Sequence, residues 1–305
     1  MTSVSLDKEA LDSLVLLNEE ALDWRGAISA RYMIHQHFRY EYPGPIADLR
    51  HRLIVVPRMI HGDQRRLAQR VDISPKGFSR TFSDGFGNRV IAFALGFIDG
   101  ALEFEHWSIV ERTPQGAQTS RHRVGPAAFA APELRGETAL TAPGEELREA
   151  ARALRREHSN PLELAEAINQ FVHREMTYSA GTTNVETPAV EAFAQRKGVC
   201  QDFAHVMLGI ARDCGLAARY VSGHLLGEGG THAWVEVLIP DATGGYIVAL
   251  DPTHACRTTL GYIVVAVGRD YADVAPTSGA FSAPYNGALH TRKRVGVTGI
   301  EYAAA

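Results

Sequence analysis

The sequence predicts an α+β fold in two parts: an N-terminal antiparallel β-domain, then a core of helices packed on an antiparallel sheet. Two observations carry this. Six short extended segments crowd residues 26–124 with no long helix between them, and in the second half helical patterning comes first and strand patterning after it. At 305 residues and 45% hydrophobic content the chain can fill two compact domains.

The elements follow in order. Leu6, Leu11, Leu14 and Leu17 recur as one face of a short leading helix within residues 1–25. From Ile28 the period changes to two: Ile28, Ala30, Tyr32, Ile34, Phe38 and Tyr40 alternate with Arg31, Met33, His37 and Arg39, with Gln36 interrupting the apolar side. This predicts a long strand packed on one face. Pro43-Gly44-Pro45 turns the chain into a second strand from Leu49 to Val56. Further strands are expected over 67–73, 78–83, 89–97 and 101–110, with turns at Pro75-Lys76-Gly77 and Asp84-Gly85-Phe86-Gly87-Asn88. His35, His37, His51 and His106 fall along these strands and are expected on a solvated face or a shared interface.

Residues 125–144, rich in Ala, Pro and Gly, predict a linker across the surface, and the core is expected over 145–275. Asn160 can cap a helix, Pro161 suits its first position, and Glu163 completes a capping box ahead of the Leu162, Ala165, Ile168, Val172, Met176 stripe. Thr187-Pro188 starts a shorter helix that ends near Gly198. Past the next helix, strands are expected over 217–224, 232–239, 245–250 and 260–266. Residues 276–305 form a C-terminal extension whose 293–301 stretch has the pattern of a returning edge strand.

Charge and cysteine usage exclude several function classes. A formal charge of −4 over the whole chain gives no case for a nucleic-acid surface. Three cysteines fit no disulfide framework, which predicts a reducing compartment. The first residues lack the basic start and apolar run of a signal peptide, and no stretch reaches the roughly 18–20 apolar residues of a membrane span. The expectation is a soluble, cytoplasmic protein without a membrane partner.

The chemistry concentrates at 198–205, Gly-Val-Cys-Gln-Asp-Phe-Ala-His. Cys200, Phe203, Met207, Ile210 and Cys214 share one helical face, so Cys200 stands in the first turn of a buried helix with Gly198 as a flexible approach. Free N–H groups and the positive end of the helix dipole stabilise negative charge there, on sulfur or on the oxyanion of a tetrahedral intermediate. His232 opens a strand in which Ala233, Val235, Val237 and Ile239 alternate with Trp234, Glu236 and Leu238. Asp251 closes the next strand at Pro252. If those strands are neighbours, their facing ends bring carboxylate and imidazole together beside the sulfur, an ordered Cys/His/Asp set suited to acyl transfer through a thioester. Cys214 reads as core. Asp202 reads as a helix-start residue. Gln195 is a candidate second oxyanion donor or a surface glutamine, and Trp234 a cleft residue or an aromatic packed on the sheet.

Cys200, His205, Cys214, His224 and His232 also mix soft and imidazole ligands, a metal-module alternative. No Cys-x-x-Cys or His-x-x-x-His pair supports a preformed zinc site, so neither metal nor cofactor is called for. A non-catalytic interaction module is a further alternative, which the intact triad argues against.

The segments Gly198–His205, Ala218-Arg219-Tyr220-Val221-Ser222-Gly223, His232-Ala233-Trp234-Val235-Glu236-Val237, Asp251-Pro252-Thr253 and Gly268-Arg269-Asp270-Tyr271-Ala272-Asp273-Val274 together resemble the transglutaminase-like superfamily, in its bacterial cysteine-protease branch. Tyr40-Glu41-Tyr42-Pro43-Gly44-Pro45, Val56-Pro57-Arg58 and Asp84–Asn88 resemble the β-domain that precedes this core in bacteria. The resemblance implies a papain-like, transglutaminase-like core with Cys200 as nucleophile, His232 as base and Asp251 as orienting acid. It further implies a peptide or protein substrate, with hydrolysis favoured over amine transfer. His224 stands where the family usually has tyrosine, and Tyr246 where tryptophan is common.

Overall fold

A computed structural model describes residues 11, 13–113, 122–125, 130–242 and 244–303. The first half supplies β1 (Ala27–Glu41), β2 (Ile46–Leu53), β3 (Ile60–His61), β4 (Gln64–Ser74), β5 (Phe78–Ser83), β6 (Arg89–Ile98), β7 (Ala101–Arg112) and β8 (His122–Val124). Helices α1 (Glu145–Glu157) and α2 (Pro161–Glu175) follow. Then come β9 (Thr177–Tyr178), α3 (Ala189–Gln195), β10 (Lys197–Gly198) and α4 (Cys200–Asp213). The second half closes with β11 (Ala217–Leu225), β12 (His232–Asp241), β13 (Gly244–Asp251), β14 (Cys256–Arg257), β15 (Tyr262–Gly268), α5 (Tyr271–Val274), β16 (Thr277–Ser282) and β17 (Ala288–Tyr302). The mixed, largely antiparallel α+β class is the one the patterning predicts.

The N-terminal strands form two sheets, ordered β17-β1-β7-β4-β3 and β16-β2-β6-β5. Both take an outer strand from the C-terminal extension: β17 pairs with β1 along its whole length, and β16 pairs with β2. The apolar face of β1 is used twice. Phe38 and Tyr42 pack against Leu49 and Phe93 of the second sheet, while Tyr32 and Ile34 pack against Ile263 of the core. Tyr32, Met33 and Ile34 are all fully buried, so both faces of β1 are covered there, not one. His51 and His106 are buried as well, and burial pulls their pKa values down to about 4 and about 3. Neither lies on a solvated face; His35 and His37 instead meet Glu105 and Glu103.

The core sheet runs β14-β13-β12-β11-β15, with β8 added beside β13. Thus β8, placed by sequence inside the β-domain, belongs to the core. Helix α4 lies against β11 and β12 with α1, α2 and α3 around it. Every residue from Gln201 to Arg212 is buried, so the helix is enclosed on all sides and not only along one stripe. Its polar side chains are paired accordingly: His205 Nε2 accepts the Tyr271 N–H, and Arg212 donates to the Ala218 and Arg269 carbonyls and to Thr141. That last contact corrects the surface-linker expectation for 125–144. Thr141 is fully buried and its carbonyl lies 2.7 Å from where a Cβ on Gly209 would sit, so the linker's end is part of the core.

The leading-helix expectation also changes. Leu6 lies outside the described residues, Leu11 is helical, Leu14 to Leu17 are not, and a 3-10 turn occupies Glu19–Ala21. The Leu17 N–H donates to the Val297 carbonyl and Leu16 lies against Gly296, so the leucines are used to line β17.

The two halves are joined by side chains that act as backbone. The outer edge of β15 would expose unpaired peptide groups. Gln64 instead accepts from Val264 N–H (2.8 Å) and donates to its carbonyl (2.7 Å), and Asn88 does the same for Val267 (2.9 and 2.7 Å). Arg112 adds a bidentate pair with Asp63 and donates to the Thr259 and Tyr262 carbonyls. Buried Glu236 takes His61 and Arg219 on its two oxygens, 2.7 Å each.

Candidate active site

Cys200 is the first residue of α4, behind the extended N-cap residue Val199. The Asp202 carboxylate, three residues on, accepts the Val199 N–H at 2.7 Å and the Thr183 hydroxyl at 2.6 Å. This holds the first turn shut and leaves the Cys200 N–H among the helix-start donors that have no intrahelical acceptor. Gly198 serves close packing and not flexibility: a Cβ there would lie 2.5–2.7 Å from Asp202 side-chain atoms. The short parallel pair β9–β10 then sets exposed Tyr178 opposite Gly198, two residues before Cys200.

His232 and Asp251 stand at the facing ends of neighbouring antiparallel strands β12 and β13. His232 Nε2 donates to Asp251 Oδ2 at 2.7 Å, with both side chains essentially inaccessible. Burial by itself would lower the imidazole pKa. Hydrogen bonds and charge from Asp251 and Cys200 outweigh it and raise His232 to about 10. His232 and Asp251 are thus paired directly, and Cys200 at the start of α4 acts on the same ring. Burial would likewise raise Asp251, yet His232, His254 and Tyr262 hold it well below the usual carboxylate range.

Asp251 is itself fixed from both oxygens. Oδ1 accepts the Thr253 N–H at 2.8 Å, the Asx turn that Asp-Pro-Thr predisposes, and Oδ2 accepts His254 Nδ1 and the Tyr262 hydroxyl, each at 2.8 Å. Trp234 packs behind the imidazole, ring centroids 6.2 Å apart, and stands edge-on to Tyr262. Gly223 makes room for it, since a Cβ there would meet the indole at 2.4 Å and the Ile263 carbonyl at 2.2 Å. Trp234 is 1% exposed and backs the histidine; the cavity it lines with His61, Glu236 and Tyr246 contains none of Cys200, His232 and Asp251. Gln195 is exposed at the end of α3, where its amide donates to Glu191 on its own helix, and the chain passes on through Arg196 at φ +54°.

Three side chains that local patterning passes over complete the cluster: Tyr262, His254 and Glu228. Glu228 Oε2 lies 3.0 Å from His232 Nδ1 and Oε1 lies 3.4 Å from His254 Nε2. Their signals were faint: His254 follows Asp251 by three residues, and Glu228 is set among Gly227, Gly229 and Gly230. Among the described residues His232, Asp251 and His254 could also hold a metal ion, with donor atoms within 4.8 Å of one another. All three atoms are engaged in the hydrogen bonds just given, so an ion there would displace the link between His232 and Asp251. Cys214 is buried, its thiol directed at the Ala151 carbonyl and pushed up to about 11 by burial, as expected of a core residue. His224 is buried with Nδ1 3.3 Å from the Gly230 carbonyl. With His205 held by Tyr271, the residues of the metal-module alternative are dispersed among separate structural roles.

A helix-start cysteine beside a strand-borne histidine and aspartate, on helices packed over an antiparallel sheet, defines the papain-like thiol architecture. Comparisons with known proteins narrow this. Residues 148–252 match the transglutaminase-like superfamily, and residues 32–111 match the bacterial transglutaminase-like N-terminal region. An uncharacterized protein of Mycobacterium tuberculosis is 32% identical over 273 residues, covering 82% of this chain and 87% of its own. One from Mycobacterium leprae is 31% identical over 258 residues, covering 80% and 90%. The chain belongs to the transglutaminase-like superfamily. Its fold is shared with a crystal structure named "Putative Cysteine Protease from Cytophaga hutchinsonii", TM-score 0.73 at 20% identity, covering 90% of this chain and 93% of that one.

Proposed function

We propose that the protein is a cysteine-dependent acyl-transfer enzyme that hydrolyses a peptide or amide bond through a thioester on Cys200. The observation that carries this reading is the 2.7 Å His232–Asp251 hydrogen bond, with Cys200 acting on the same imidazole. With Nε2 committed to Asp251, Nδ1 is the nitrogen left to serve the sulfur. The sulfur bonds the carbonyl carbon, and the charge gathering on the carbonyl oxygen meets the N–H groups at the start of α4. As the C–N bond breaks, the departing nitrogen takes the Nδ1 proton. Water then attacks the thioester, giving up a proton to Nδ1 and releasing the acid and the Cys200 thiolate. Asp251, held by four further donors, keeps the ring in place through both halves.

The test compares wild type, Cys200→Ala and Cys214→Ala with an electrophilic amide probe, followed by product analysis with and without a primary amine. Labelling that survives only in wild type and Cys214→Ala supports the assignment. Labelling that persists in Cys200→Ala contradicts it. Free acid as the product in the presence of amine supports hydrolysis, and an amide of the added amine would replace it with transfer.

A further inference from the structure

One carboxylate at the cluster takes no part in the course just described. Glu228 sits in the loop 226–231 joining β11 to β12, and its side chain is 40% exposed, so it touches the buried ring and faces solvent. Its ionic partners among the described residues are two imidazoles, His232 and His254, with no Lys or Arg. The imidazole atom it meets, at 3.0 Å, is Nδ1, which on the acyl-transfer reading must serve the departing amine. The amine half of a substrate therefore has to arrive beside this carboxylate. Tyr178 marks the same side. Burial first, then the charges of Cys200 and Glu228, raise its phenol, which places the ring near both.

A carboxylate so placed cannot be neutral in its effect. A cationic group entering next to it replaces the imidazole as its partner and frees Nδ1 for the scissile nitrogen, whereas an anionic group meets repulsion from Glu228 with Asp251 behind it. We infer that Glu228 makes the amine side of the cleft selective for positive charge, so that the preferred substrates are amides whose amine portion carries an ammonium or guanidinium group. The inference rests on the acyl-transfer reading of Cys200 and His232. In the step it favours, the sulfur–carbon bond forms, the C–N pair leaves on nitrogen, and Nδ1 supplies that nitrogen's proton while Glu228 holds the neighbouring cation.

The charge preference is measurable before any substrate is known. Three methanethiosulfonates bearing a trimethylammonium, a neutral methyl and a sulfonate group react with a thiolate to give a mixed disulfide and methanesulfinate. Their rates at Cys200, read by peptide mass spectrometry, are compared with those at Cys214 and Cys256. At low ionic strength the cationic reagent is expected to modify Cys200 about tenfold faster than the anionic one. That ratio should fall to within about twofold in Glu228→Gln, invert in Glu228→Lys, and persist in Glu19→Gln, which removes a carboxylate from the outer side of the same loop. Rapid labelling of Cys200 with the same ratio in wild type and Glu228→Gln overturns the selectivity while leaving the acyl-transfer reading standing. A Cys200 that reacts no faster than Cys256 with any reagent removes the reading and the selectivity together.

Discussion

Asp251 Oδ2 accepts from three donors at once, and that crowding has measurable consequences for the residue it orients. His232 is held protonated up to about pH 10 because Asp251 and Cys200 outweigh its burial. A histidine raised above its ordinary 6.5 contributes stability that is fully present below pH 6.5 and is lost as pH rises through about 10. Ring NMR should show His232 titrating near pH 10 in wild type and lower by roughly 1–3 pH units in Asp251→Asn. An unmoved titration would mean that Asp251 does not hold the imidazolium. Tyr262→Phe removes one hydrogen bond to a charged carboxylate, worth about 1.5–3 kcal/mol, and is expected to slow turnover roughly tenfold or more and to lower the melting temperature by a few degrees. At this scale Cys200, His232 and Asp251 were legible because each has a local mark: a glycine-led helix start, the first residue of an alternating run, a strand stopped by proline. Tyr262, His254 and Glu228 were not, since each meets its partner only through strand pairing or a loop path that no nearby residue announces.

Among the elements, α4 is the part whose construction the chemistry depends on. Its first turn is closed by Asp202, and the closure needs Gly198 to be bare. Gly198→Ala should cost about 2 kcal/mol of stability in urea unfolding and slow Cys200 alkylation, by driving Asp202 off the Val199 N–H. In the Asp202→Ala background the same substitution should cost far less. Equal costs in both backgrounds would show the clash to be with something other than that carboxylate. The periodicity at 200–214 correctly marked a buried face but not full enclosure. His205 and Arg212 read as polar, and only the pairing with Tyr271, Ala218 and Thr141, from three separate segments, lets them sit inside. Strands with clean alternation were readable to within a few residues, whereas the two-residue strands β3, β9, β10 and β14 carry too few side chains to leave a pattern.

For the molecule as a whole, the two halves are joined through the side chains of Gln64 and Asn88 lying along β15 like an extra strand. Asn88→Ala would strand a buried N–H and a buried carbonyl at Val267, with an expected loss of about 2–4 kcal/mol in equilibrium unfolding. Asn88→Asp should be nearly as costly, because a carboxylate can accept from Val267 but cannot donate to its carbonyl. A loss below 1 kcal/mol for both would mean that water replaces the amide at the joint. The family resemblance anticipated two bodies, and the pattern at 293–301 anticipated the returning edge strand that β17 forms, but nothing in the sequence says which sheet it joins or that β16 closes the other sheet as well. That borrowing also sets an order of events. Residues 277–302 leave the ribosome after every other strand of these two sheets, yet β1 and β2 have no partner on one side until they do. The half synthesised first is therefore the half completed last, its closure a search across more than two hundred residues of intervening chain. Newly made protein should thus pass through a stage with its core helices assembled and an open sheet edge in need of shelter.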